Sequence, residues 1–316
     1  MRASVRRFAP PLVYLAASIA IVIAAGGAIA GLTAERGEAA LTPLVLAGGC
    51  LALQVCCLAA AWRMILGRSS PAVTPRAGVL RGFLLGWLSR YLPGPPTGLA
   101  GKYLISRQAG YGRVAIAGAL VYENALLLAA SATIPLLTVG FVFGRGWAVV
   151  ALVCLGLGAV GAAVVLRPGA IRRVAGRRLT RGADLQLLSL GALLGPGSLM
   201  IVAAGLAGLC FHIVVVALTD LPAETVGRSL FVFSAAALAG FVTPFVPSGA
   251  GVREAIIVTL MAPLVGHSDA LSVAVVARAI SVLLDLGIAA AVAGYFAWDW
   301  LQRLGEGAQN PSKYRA

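Results

Sequence analysis

Charge is what this chain has least of. Asp, Glu, Lys and Arg together make up 11% of its 316 residues, against roughly a quarter in an ordinary soluble domain. That shortage excludes a soluble globular fold, and no polar stretch is long enough to fold separately. Acidic groups are scarcer still, 11 against 25 basic ones, so carboxylates for acid-base chemistry are few and no Ser-His-Asp set stands out. Histidine occurs only as His212 and His267, read as a packed residue and a solvated one. The cysteines, Cys50, Cys56, Cys57, Cys154 and Cys210, sit inside apolar runs without metal-ligand spacing. No disulfide, metal or cofactor is expected. The pattern G-x-x-x-x-G-K-S/T is missing too, which excludes a P-loop nucleotide engine.

Apolar sequence fills the chain instead: 60% of residues are hydrophobic and the mean hydropathy is +0.94. Runs at 12–32, 41–66, 114–139, 141–166, 198–218 and 270–298 are long enough to cross a core of about 30 Å at about 1.5 Å per residue. The expected fold class is all-α, a polytopic helical membrane protein with about six full spans. Arg2, Arg6 and Arg7 precede the first run, which reads as an uncleaved signal anchor. The second run ends in Arg63, Arg68, Arg76 and Arg81, and six arginines between Arg167 and Arg181 follow the fourth. By the positive-inside rule both termini are cytoplasmic, in the plasma membrane. A net charge of +14 then reports orientation and contact with anionic headgroups, not nucleic acid.

Two segments break the apolar pattern. One runs from Arg90 through Pro93, Gly94 and Gly98 to Lys102; the other runs from Thr243 through Pro247, Gly249 and Gly251 to Arg253 and Glu254. Prolines and glycines there prevent a continuous helix. Lipid cannot satisfy irregular backbone, so each segment must be enclosed by protein or line a wet cavity. Re-entrant hairpins are predicted over 81–113 and 229–266, the first opening to the cytoplasm and the second outside, although 230–245 also has the length of a full span. Glycines there let a headgroup approach the backbone, while Arg90, Lys102 or Arg253 attract a phosphate; a packed structural kink is the plainer reading.

The order of breaker, glycines, basic residue and span recurs at nearly the same spacing from Pro93 to Glu123 and from Pro247 to Arg278. The expected organisation is therefore a single membrane domain. It comprises an anchor at 1–40, a first repeat at 41–139, a fourth span and basic loop at 140–184, a second repeat at 185–298 and a tail at 299–316. The repeats are inverted, an arrangement in which a midplane site can face each side in turn. Glu123 and Arg278 occupy equivalent positions, and a lone charge at that depth costs about 2.5–3.5 kcal/mol. They are expected to be each other's partner, with Asp285, on Arg278's helical face, as the alternative. Such a pair either locks the halves together or lines the route.

Arg90-Tyr-Leu-Pro-Gly94, Gly98, Lys102, Gly110 and Glu123, with Pro247-Ser-Gly-Ala-Gly-Val-Arg-Glu254 in the second half, resemble the flippase-like transmembrane domain of the lysylphosphatidylglycerol synthase family. The resemblance covers about 41–298 and implies handling of anionic, aminoacylated or polyprenyl-phosphate-linked lipids. It departs from the family at Pro93-Gly-Pro-Pro96, where the family pattern is more glycine-rich. Only a short tail follows Trp298, so aminoacyl transfer is not expected. Membrane lipids with anionic headgroups are the expected partners of a flippase or scramblase-like protein. The alternatives are a membrane enzyme or subunit acting on a lipid-linked sugar, with Glu123, Glu254 and Asp285 as its candidate acids, and a scaffold for a separately encoded transferase. Gly156, Gly158 and Gly161 suit close helix packing within one chain or between chains.

Overall fold

A computed structural model of the chain describes residues 41–70, 76–89, 97–144, 188–241, 243 and 251–309, with isolated positions in 23–34 and 146–149. Most of the expected first and fourth spans, and the arginine-rich loop, lie outside the described residues. The described regular structure is all helical: α1 (Leu41–Ser69), α2 (Arg76–Leu88), α3 (Thr97–Gln108), α4 (Arg113–Thr138), α5 (Leu190–Leu218), α6 (Val226–Phe241), α7 (Val252–Val265) and α8 (His267–Gln309). Beyond Val139, α4 continues as a single turn, Gly140–Phe143.

Among the described residues, four helices are long and apolar enough to cross a membrane: Leu41–Ser69, Arg113–Phe143, Leu190–Leu218 and His267–Tyr295. The other four are too short. The longest of them, α6, has 16 residues and therefore reaches about 24 Å against a core of about 30 Å. Short α2 packs on α3 and short α6 on α7, so that each pair forms a helical hairpin between two long helices.

Helices α1 and α5 form the centre of the molecule and run antiparallel. Gly195, near the start of α5, lies against Met64 and Arg68 near the end of α1, while Leu44 and Ala47 at the start of α1 share a core cluster with Val214 and Val215 at the end of α5. Pro196 helps to fix this pairing. Proline has no amide hydrogen, so the carbonyl one turn earlier, that of Ala192, loses its helical donor. The Arg68 guanidinium donates to that carbonyl from the neighbouring helix. Ser189 caps the same helix by accepting from the Ala192 N–H at 3.2 Å.

The remaining helices wrap the two ends of the α1–α5 pair. At one end Leu51 and Phe211 pack with Val232, Met261 and Val273 from α6, α7 and α8. At the other, Trp62 and Met200 pack with Phe83, Ile116 and Tyr122 from α2 and α4. The crossings correspond: α4 packs on α6, and α8 packs on α2. Large apolar side chains such as Val45, Leu104, Leu194 and Leu271 face outward, as lipid contact requires and water does not favour.

Hydroxyl side chains inside these helices, or capping them, bond to their own backbone. Ser69, Thr138, Thr219 and Ser281 each donate to the carbonyl four residues earlier, over 2.7–3.1 Å. That pattern removes the cost of a free hydroxyl in an apolar medium.

Candidate functional site

A cavity of about 150 Å³ opens where the two core clusters meet. Each long helix contributes residues close to the midpoint of its apolar span: Gln54 and Leu58 from α1, Leu127 and Ser131 from α4, Met200 and Ala204 from α5, Arg278 and Asp285 from α8. Counted over the apolar spans, Arg113–Phe143 for α4 and His267–Tyr295 for α8, all lie within about one helical turn of the centre, so the cavity sits at mid-depth of these spans. Trp87, Ser234 and Arg253 reach it from the short helices α2, α6 and α7.

The walls are mainly apolar, and the charges at the cavity are two guanidinium groups and one carboxylate. The Arg253 guanidinium lies 5.0 Å from the centre of the Phe233 ring, a distance at which the ring face attracts the cation. Asp285 Oδ1 accepts from the Trp87 indole N–H at 2.7 Å. Arg278 Nε lies 3.8 Å from Glu254 Oε1, and the other oxygen of that carboxylate accepts from the Gly251 N–H at 2.7 Å. Gly251 takes φ +87°, a left-handed conformation that glycine adopts readily, and this turn starts α7.

Hydrogen-bonding groups are also present without full employment. Ser234 Oγ is buried and makes no hydrogen bond among the described residues. Pro135, inside α4, removes the amide that would have bonded the Ser131 carbonyl. Both features leave polar capacity at the cavity, the chemistry a polar ligand or water uses.

A second charged pair lies away from the cavity lining. Lys102 Nζ is 2.5 Å from Glu123 Oε1, with the two side chains 11% and 3% exposed, so the pair is effectively dry. The ammonium also faces the rings of Trp62 at 5.1 Å and Phe83 at 4.8 Å from their centres. Phe83 stacks in turn on Trp87 at 5.9 Å, linking this pair to the carboxylate of Asp285 through aromatic contacts. Just beyond, in the α3–α4 connector, burial pushes the Tyr111 phenol above its ordinary range, with the Arg63 guanidinium acting against that shift.

These pairings correct the expectation that Glu123 and Arg278 neutralise each other. Glu123 is paired with Lys102, and Arg278 with Glu254. The physical reason is proximity: the short helix just before each long one presents the opposite charge, and a buried charge takes the counter-ion that needs least displacement. The sense of charge is exchanged between the halves, with a hairpin cation on a span anion in one and a hairpin anion on a span cation in the other. Lys102, expected as a phosphate contact, is occupied by Glu123.

Of the residues singled out by sequence, Arg253, Arg278 and Asp285 line the cavity, with Glu254 and Gly251 bonded just behind Arg278. Gly98 lies in the first turn of α3. Arg90, Pro93, Gly94, Pro247 and Gly249 lie outside the described residues. Sequence reasoning missed Gln54, Trp87, Ser131, Ser234 and Ser281, although a polar residue in mid-run is itself a signal. Neither a protein-family model nor a curated protein matches the sequence.

Proposed function

We propose that this protein is an integral membrane protein that moves a lipid with an anionic headgroup between leaflets, as a flippase or scramblase-like carrier. The observation that carries this reading is the central cavity with Arg253 and Arg278 on its wall, at mid-length of the four apolar spans. Charges at that depth are expensive and mark pathways, and a site there is reachable from either face by rocking one half against the other.

In this reading α2–α3 and α6–α7 are re-entrant hairpins, and α1–α4 and α5–α8 are the two halves of an inverted repeat. The antiparallel packing of α1 on α5 and the corresponding crossings of α4 on α6 and α8 on α2 support it. The runs at 12–32 and 141–166 supply two further spans, with both termini in the cytoplasm beneath the plasma membrane. The likeness of the breaker segments to the lysylphosphatidylglycerol synthase family favours the same cargo class.

The test is lipid movement in vesicles containing only the purified chain and fluorescent phosphatidylglycerol or phosphatidylcholine, read by dithionite quenching of the outer leaflet. Phosphatidylglycerol is expected to move faster than phosphatidylcholine, and Arg278→Gln to slow it by about tenfold or more, the effect of losing about 1.4 kcal/mol of charge-assisted contact. Equal, protein-independent quenching for both lipids overturns the reading.

A further inference from the structure

We infer that Glu254 is a built-in stand-in for the ligand: its carboxylate occupies Arg278 until a phosphodiester monoanion enters the cavity and displaces it, releasing the start of α7. This rests on the cavity being the binding site proposed above.

With Glu254 in place the site is electrically balanced, since the two guanidinium groups on the wall, Arg253 and Arg278, are matched by Asp285 on the wall and by Glu254 just behind Arg278. An anion entering a balanced apolar cavity gains little unless a resident carboxylate leaves. Each carboxylate accepts a hydrogen bond at 2.7 Å, Asp285 from the Trp87 indole and Glu254 from the Gly251 N–H, and the two differ in burial. Asp285 is 3% exposed and fixed by the Trp87 indole at 2.7 Å. The Glu254 side chain is 23% exposed and 3.8 Å from Arg278, beyond direct hydrogen-bond reach. Glu254 is therefore the one that exchanges. The contrast with Lys102 and Glu123, closed at 2.5 Å and walled by aromatic rings, makes the first half the fixed one and the second half the responsive one.

Displacement has a mechanical consequence because one carboxylate does two jobs. Glu254 Oε2 accepts from the Gly251 N–H, and that bond holds the left-handed turn on which α7 begins. An anion seated on Arg278 repels the adjacent carboxylate, which swings away from Arg278 and from the Gly251 N–H together, and the α7 turn loosens with it. A monoanion replaces one carboxylate charge for charge. Headgroup phosphodiesters and free inorganic phosphate share the required chemistry.

The experiment uses the full chain in nanodiscs of phosphatidylcholine. Phosphatidylglycerol binding is measured by native mass spectrometry, and amide hydrogen exchange is followed over 251–255, each with wild type and Glu254→Gln. Glutamine keeps an oxygen for the Gly251 N–H but carries no charge to compete. The expected results are about tenfold tighter phosphatidylglycerol binding by Glu254→Gln, and faster exchange at 251–255 in wild type when phosphatidylglycerol is added. Inorganic phosphate reproducing both effects supports the exchange and assigns it to a free anion; phosphate without effect assigns it to the lipid. Unchanged affinity in the variant, or exchange in wild type indifferent to both anions, overturns the proposal. The exchange arm needs no variant, so misfolding of Glu254→Gln does not leave the question open. Vesicle transport that persists while these measurements fail sinks only the stand-in role; anion-driven exchange without transport sinks only the carrier reading.

Discussion

Single residues carry most of the chemistry because charge is so rare in this chain. Glu123 is 2% exposed and its partner Lys102 is walled by Trp62 and Phe83, so removing one member leaves the other charged and dry. Glu123→Gln is expected to lower stability by about 3–5 kcal/mol, read as a drop in thermal unfolding midpoint in detergent. The double variant Lys102→Met with Glu123→Leu is expected to recover most of the loss, since an apolar pair of similar volume replaces the ions. If the single variant unfolds like wild type, the pair is not closed as described. Trp87→Phe removes the indole donor from Asp285 while keeping the ring; the cost expected is about 1.5–3 kcal/mol for a hydrogen bond to a charged group, checked by the same unfolding measurement.

At the scale of elements, helix ends and prolines determine where polar groups are released. Gly251 has φ +87° with open space where a Cβ would sit, so strain alone opposes a side chain there. Gly251→Ala is expected to cost about 1–2 kcal/mol and Gly251→Asn less, because asparagine tolerates the left-handed region better. Equal unfolding midpoints for the two variants argue against the left-handed turn. The two charged pairs show how far element order was legible. A breaker, a basic or acidic residue and a span recur in both halves of the sequence, and the structure puts each hairpin charge on the span that follows it. What periodicity does not encode is reach: the expectation of a Glu123–Arg278 bond ignored that a Lys or Glu on an adjacent short helix is nearer than any residue of the other half.

For the whole molecule, the decisive feature is the antiparallel α1–α5 pair. Cysteines at positions 64 and 195 are expected to cross-link with a short bifunctional reagent, since a side chain at Gly195 meets Met64. Cysteines at 64 and 215 are expected not to, because position 215 lies about 30 Å further along α5. The reverse result indicates parallel packing and removes the support for an inverted arrangement. A cavity formed by the centres of the four apolar spans depends on this pairing.

Composition and run length together determined the helical class: lipid admits only helices and closed barrels, and long unbroken apolar runs are helical spans where a barrel has short alternating segments. They also marked Arg253, Glu254, Arg278 and Asp285, because a charge inside an apolar run stands out against a uniform background. Tertiary structure alone decided which charges meet. It brought Trp87 from α2 to Asp285 on α8 and set Glu254 between Gly251 and Arg278. It also closed Lys102 onto Glu123 away from the cavity. The reason is physical: sequence fixes what each position must avoid, lipid or water, whereas a pairing depends on distances across helices that no local pattern records.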